Sequence, residues 1–404
     1  MPKALSVNNP LYQTLSKHSL RLITLGWIIF VCGFYFFPTT SRLTTSFYVL
    51  LLLPALLILP TLLHSRAYTL RTLAVITVPT LYLAVTHLWS TAERFEPFFF
   101  IKQSLFITLF TLATIKLFEI RPKLLLFTIK LVIAFGVANA CYSLYQHMEN
   151  DFHGRLLAIN LSSNPNKNSA MHTIISVLCF AFAMESKNLK VKALLLTLAI
   201  PSITSVIFSE SRGSLMTALA VMAAYFTLDK KHNLQHAVAL TGSFFFLFAT
   251  AFVLCPEVYE SLIDRANTRV RVKVWQQSIQ AWQDSPFFGS GITRAKYQPV
   301  NDILLYPHSH NLLLDTMRVG GVVGLALLVF QIASVTRGVA TYYHRSLSVR
   351  ITSCWFFTGL LLLMVYGRQP LSRPEPNWLM YWVPLVLLFA LLTIKRHTDQ
   401  STNH

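Results

Sequence analysis

Apolar runs long enough to cross a bilayer recur along this chain, and no other feature limits its fold as much. A membrane helix needs about 17 to 25 such residues. Runs of that length predict spans at about 20–38, 47–63, 71–90, 98–117, 124–146, 169–186, 191–208, 214–228, 236–255, 310–336, 350–367 and 377–394. Segments in lipid must satisfy their backbone hydrogen bonds internally, and these runs are too long for barrel strands. The expected fold is therefore all-α, one polytopic membrane domain over residues 1–404 with about 12 transmembrane helices. Composition agrees, since 12% of residues are charged against about 25% in soluble domains. The first run follows Lys17 and Arg21 and lacks a small-residue cleavage pattern after Pro38, so it is expected to stay as an anchor. Cys32, Cys141, Cys179, Cys255 and Cys354 fall in or beside apolar runs without a Cys-x-x-Cys pair, and read as buried small hydrophobes.

Lys and Arg total 34 against 16 Asp and Glu, a net charge of +18. Such a balance ordinarily points to nucleic acid. Here the cations sit in short runs between spans, where they report orientation and contact with membrane lipids, so no nucleic-acid partner is expected. Cytoplasmic loops retain Lys and Arg. Arg66 and Arg71, Lys116, Arg121 and Lys123, Lys187, Lys190 and Lys192, Lys230 and Lys231, and Arg337, Arg345 and Arg350 then lie on the side of both termini, predicted to be cytoplasmic. Two polar segments face the other side, a larger loop at 256–309 between the ninth and tenth spans and a smaller one at 146–169. In the larger loop Trp275, Ile279 and Trp282 recur at helical spacing among glutamines. They predict an amphipathic helix on the membrane surface that stops at Asp284-Ser285-Pro286.

Three constellations on that side carry chemistry. Arg265, Arg269, Arg271 and Lys273 crowd together with no acid between Asp264 and Asp284. They suit anionic headgroups, or a diphosphate, which guanidinium forks grip with paired charge-assisted hydrogen bonds. Val270, Val272 and Val274 alternate with them, so helix and strand both fit, and the helical flanks favour helix. Ser209-Glu210-Ser211-Arg212-Gly213-Ser214 opens the eighth span, where free backbone N–H groups and an arginine favour a phosphate. An interfacial arginine beside Glu210 is the plainer alternative. At Pro307-His308-Ser309-His310-Asn311 the large loop enters the tenth span, and Asn311, Asp315 and Arg318 follow on one helical face. Ionisable groups at membrane depth are costly and default to function. The plainer alternative has Asn311 capping the helix and Asp315 pairing with Arg318. A metal held by His308 and His310, with His147, Glu149, Asp151 and His153, lacks a recognised ligand spacing and sits among repelling cations, so none is expected.

Taken in order, Ser211-Arg212-Gly213, Arg271-x-x-x-Trp275, Ser285-Pro286-x-x-Gly289-x-Gly291, and His310-Asn311 followed by Gly320-Gly321-x-x-Gly324 make a recognisable set. It resembles the O-antigen ligase and polymerase superfamily of bacterial inner-membrane glycosyltransferases, from about Pro201 to Leu328. Asn164-Pro165-Asn166-x-Asn168 is similar to a looser element of that family. The resemblance implies a multi-pass protein of the bacterial inner membrane whose site faces the periplasm. It implies transfer of a glycan from an undecaprenyl-diphosphate-linked donor to a hydroxyl, with no metal, nucleotide or other cofactor. It further implies functional roles for Arg212 and His310, with loop cations on the diphosphate, Arg271 first and Arg265, Arg269 and Lys273 around it, and with His308 and Asn311 at the substrate. A chain of 404 residues with a compact outer loop is most similar to the ligase that joins O-antigen to lipid A-core. An O-antigen polymerase, a protein-glycosylating oligosaccharyltransferase and a lipid-linked-sugar transporter are the alternatives; the transporter should show duplicated halves or broken helices at midplane, and no matching halves are evident. Arginines would steady the leaving diphosphate and His310 would take the hydroxyl proton. Cations such as Arg212 and Arg271 should keep its imidazole neutral.

Overall fold

The structure, a computed structural model, describes residues 10–64, 70–90, 96–157, 161, 164–228, 269–293, 298–300, 303–305 and 308–402. Pro10–Phe36 forms α1. The second span is broken: Thr40–Ser46 (α2) runs into a π-helical stretch at Phe47–Leu52, then into Leu53–Leu57 (α3) and Leu59–Leu63 (α4). Pro54 and Pro60 each sit in the first turn of a new piece, because proline lacks an N–H and its ring crowds the carbonyl four residues back. Leu70–Val85 (α5), Pro97–Ile120 (α6), Leu124–Glu149 (α7), Pro165–Glu185 (α8), Leu189–Phe208 (α9) and Arg212–Leu228 (α10) follow. Arg269–Gln283 (α11), Leu312–Tyr342 (α12), Leu347–Tyr366 (α13), Pro376–Met380 (α14) and Trp382–Thr402 (α15) complete the described helices. Between α11 and α12 lies a small antiparallel hairpin, Gln298–Val300 with Ile303–Leu305, with Gln298 opposite Leu305. Among the described residues, 10 helical stretches are long and apolar enough to cross a membrane, and α10 is a shorter apolar helix. The chain is thus an all-α polytopic membrane protein. The span expected at 236–255 lies outside the described residues, as does Arg265.

Between α8 and α9 burial runs against hydropathy. The least apolar candidate span, α8, is 89% buried, whereas the more apolar α9 is 22% buried. Lipid explains the inversion: Asn168, Ser169, His172, Thr173 and Ser176 must face protein, while apolar side chains can be left to the bilayer. Thr173 and Ser176 donate to the carbonyls four residues back, each at 2.9 Å. Beside α8, the segment from α14 into α15 is the other central element. There Trp378 packs with Phe30, Phe47 and Phe110, ring centroids 4.6 to 6.0 Å apart. Cys32, Cys179 and Cys354 are buried as expected, but Cys141 is exposed, and Cys255 lies outside the described residues.

Chain reversals collect at two ends of the bundle. One end gathers the turns that follow α1, α5, α7, α9 and α13, together with α11 and the start of α12. Cross-links pin it together, including Thr44 Oγ1 to the Pro374 carbonyl at 3.3 Å and the His87 ring to the Ile292 carbonyl at 2.8 Å. Every candidate site residue that is described lies there.

Candidate functional site

The turn Ser209–Ser211 carries the chain from α9 into α10 with Glu210 at φ 49°. A left-handed conformation is uncommon for a residue with a side chain and persists where its surroundings over-determine it. Arg155 does so. Its guanidinium donates twice to the Ser209 carbonyl, at 2.9 and 2.7 Å, and once to Asn166 Oδ1 at 2.8 Å. It also lies 3.9 Å from the Glu210 carboxylate. The Asn164 to Asn168 element closes the other side: Asn164 caps α8 by accepting from the Asn166 N–H, and Asn168 donates to Ser209 Oγ at 3.4 Å. Glu210 therefore serves Arg155, and Arg212 stands exposed in the first turn of α10.

Helix, not strand, holds Arg271 and Lys273. The face of α11 that meets α12 is Val274 and Ser278, 3% and 4% exposed, while Ile279 points outward. The tryptophan and isoleucine stripe is thus not the packing face. Ser278 tolerates burial because its hydroxyl lies 2.8 Å from both the Val274 carbonyl and Ser309 Oγ. Arg271 is exposed and its guanidinium lies 5.8 Å from the centre of the Tyr366 ring, within cation–π reach. Tyr366 ends α13 with its hydroxyl on Ser211 Oγ, on the Ser214 N–H at 3.1 Å and on Ser214 Oγ at 3.3 Å. Gly213 leaves it room, since a Cβ there would meet Val365 Cγ1 at 2.7 Å and Tyr366 Oη at 2.8 Å. Tyr366 joins the Arg212 turn to Arg271, yet no motif marked it; a tyrosine ending an apolar span reads as an interface anchor. Lys273 is exposed on the same helix, and Arg269 opens it.

Asn311 Oδ1 accepts from the N–H groups of Leu313 and Leu314 at 3.0 and 3.1 Å, so this amide caps α12. One turn on, buried Asp315 accepts from the Ser309 N–H and hydroxyl at 3.1 Å each, from Arg318 at 2.8 Å and from the Gln369 N–H at 2.8 Å. The expected pairing with Arg318 is there. Beyond it, the same carboxylate clamps the His-Ser-His turn and the segment after α13. In this clamped turn His310 has φ 50° and its ring centre lies 4.2 Å from that of His308. Burial pushes the His310 pKa down, helped by His308 and Arg271 and opposed by Asp315, to about 4. His308 is lowered as well, again chiefly by burial. The neutral imidazole expected from the sequence is found, but burial leads and Arg212 is not among the causes. Both rings are therefore unprotonated near neutral pH and His310 can accept a proton.

The remaining motif glycines build the scaffold. Two turns into α12 the helix opens at Gly321, φ 62°. The N–H groups of Ser290 and Gly291 bond to the Arg318 and Val319 carbonyls at 2.9 and 3.0 Å, and those of Val322 and Val323 to Pro286 and Phe287 at 2.9 and 3.2 Å. A Cβ at Gly289, φ 72°, would lie 2.4 Å from the Val319 carbonyl oxygen, and one at Gly321 2.2 Å from that of Phe287. Only glycine fits both the angle and the approach. Among the described residues no three His, Cys, Asp or Glu side chains gather as metal ligands. His147 instead packs its ring on Phe152 and Phe208.

The family model described as O-antigen ligase matches residues 193–329, the stretch that holds Arg212, Arg271 and His310. An O-antigen ligase of Pseudomonas aeruginosa is 25% identical over 378 residues, 92% of this chain and 90% of that protein. Both matches bear out the resemblance that the motifs carry, and the second extends it over helices outside them.

Proposed function

We propose that this chain is an O-antigen ligase of lipopolysaccharide synthesis. At the periplasmic face of the bacterial inner membrane it transfers the glycan of an undecaprenyl-diphosphate-linked donor to a sugar hydroxyl of lipid A-core. The observation that carries this reading is the gathering of Arg271, Tyr366 and the Arg212 turn at one end of the bundle, with the neutral His310 under the charge of Arg271. Arg212 and Arg271 grip the diphosphate, whose developing charge a fixed guanidinium fork stabilises as it leaves. The acceptor oxygen forms its bond to the anomeric carbon, and the bond from that carbon to the diphosphate breaks with its electron pair on the leaving group. The hydroxyl proton passes to His310. Tyr366 is a positioning residue that sets the two arginines against each other. Lys273, Arg269 and Arg265 extend the cationic field, and His308 lies beside the base. The donor arrives activated, so the reaction calls for no nucleotide, metal or other cofactor. The short basic loops on the opposite side support a periplasmic site.

Detergent-purified protein, given lipid-linked donor and lipid A-core with excess chelator and no nucleotide, should join the two. Absence of product, or product formed only after a divalent ion or nucleotide is restored, would overturn the proposal. Lengthening of the donor glycan without any acceptor would assign the chain to polymerisation.

A further inference from the structure

The site end of the bundle holds a second cationic hollow. A cavity of about 390 Å³ opens between the start of α6, the start of α8, the start of α12 and the segment after α13. That volume falls within the roughly 300–1,000 Å³ of small-molecule pockets. Lys167, Arg318, Arg368 and Arg373 line it together with His308. Asp315 answers Arg318 and Glu375 answers Arg368. Among the described residues Lys167 and Arg373 make no ion pair, so the lining carries an excess of positive charge. Two buried polar atoms of the same lining, His308 Nδ1 and Arg368 Nε, have no hydrogen-bond partner. A buried donor left without a partner is costly, and a charged one more so. An anion in the cavity would complete these contacts.

Arg212, Arg271 and Tyr366 line no part of this cavity. The histidine pair stands between the two cation groups: the charge of Arg271 bears on His310, and that of Arg368 on His308. A transfer reaction needs two substrates, and the diphosphate already has its arginines.

We propose that the cavity is the acceptor subsite and binds an anionic substituent of the acceptor saccharide, a phosphate monoester or a carboxylate, so that a neighbouring hydroxyl faces His310. The identity of the acceptor rests on the transfer reaction proposed above; the anion site rests on the cavity alone. Arg318 and Arg368 are held by their carboxylates as fixed walls, and Lys167 and Arg373 supply the charge that a ligand neutralises.

The test titrates full-length protein, without donor, with labelled lipid A-core and with the same molecule stripped of the anionic groups of its core sugars. Wild type should bind the anionic acceptor about tenfold more tightly or better. Arg373→Gln and Lys167→Gln should each lose most of that difference at unchanged thermal stability. Acceptors lacking only the phosphate or only the carboxylate tell which group is read. Equal binding of both acceptors by wild type overturns the proposal. In parallel transfer assays the two variants should raise the acceptor KM about tenfold and leave the donor KM within twofold; a rise in donor KM instead would give the cavity to the diphosphate and overturn the proposal too. Binding needs no turnover, so failure of transfer counts against the proposed function while binding still decides the subsite.

Discussion

Arg350 at one end of the bundle and the exposed site cations at the other are held in opposite ways. Away from the site, Arg350 is surrounded: it donates to both oxygens of Glu185 at 2.6 and 2.7 Å and to the carbonyls of Tyr343 and His344 at 3.1 and 3.3 Å. Glu185 also accepts from the Tyr225 hydroxyl at 2.6 Å, and Tyr342 donates to Asp399 at 2.8 Å. At the site end Arg212, Arg271 and Lys273 are exposed, Glu210 and His310 hold left-handed backbones, and His308, Trp275 and Arg368 each bury a polar atom without a partner. A closed network rigidifies its helices and has little left to offer a ligand. An open one, with backbone strain held by its neighbours, is prepared for an anion before the anion arrives. Arg350 has its hydrogen bonds already made and serves the fold, whereas exposed Arg212 and Arg271 suit the role proposed for them.

The largest effect that tests this contrast is His310→Ala. It should lower single-turnover transfer by about 10² to 10⁴, with thermal stability in detergent matching wild type. A rate within a few-fold of wild type would take the base out of the mechanism and leave an arginine clamp alone. Arg350→Gln should do the reverse. It leaves the half-buried Glu185 carboxylate without its guanidinium, a loss of about 2–3 kcal/mol in stability, at or below the low end for a fully buried pair, read from unfolding in detergent. Turnover per folded molecule should stay within twofold, and stable protein with lost transfer would erase the distinction between the ends.

Arg271→Lys and Arg212→Lys should each cost about tenfold in transfer, because lysine keeps the charge and loses the planar fork. Wild-type rates would make both arginines interfacial anchors. The smallest effect is in pH. A lowered pKa means that the folded site holds His310 neutral, and proton uptake removes the base only as pH falls towards about 4, where an ordinary histidine is already half protonated near 6.5. Transfer should therefore stay level from pH 7 to about pH 5 and fall below that. The charge of Arg271 is one cause of the lowering, so Arg271→Gln should move the acid limb of its residual activity to higher pH. A limb that stays in place would assign the whole shift to burial.

Much of this was legible before any contact was known. The spans, the all-α class and the helix at α11 follow from periodicity and composition, which each segment carries by itself. The Asn311 cap and the Asp315 pairing with Arg318 were legible for the same reason, being made within a single turn of helix. The face of α11 that packs was not legible: the turn before α12 offers Ser309, and Ser278 takes it.

Sequence alone thus determined that this chain lives in a membrane and which stretches of it are helices, and it singled out the arginines and the histidine for which an anion is proposed. Only the tertiary structure decided that Tyr366 joins the Ser211 turn to Arg271, that Arg155 holds Ser209, and that Asp315 reaches across to Gln369. It alone showed why Gly289 and Gly321 must both be glycine, since the backbone at Val319 passes the first and that at Phe287 the second. Hydropathy and charge belong to a segment, whereas a contact between distant segments exists only once the bundle is packed.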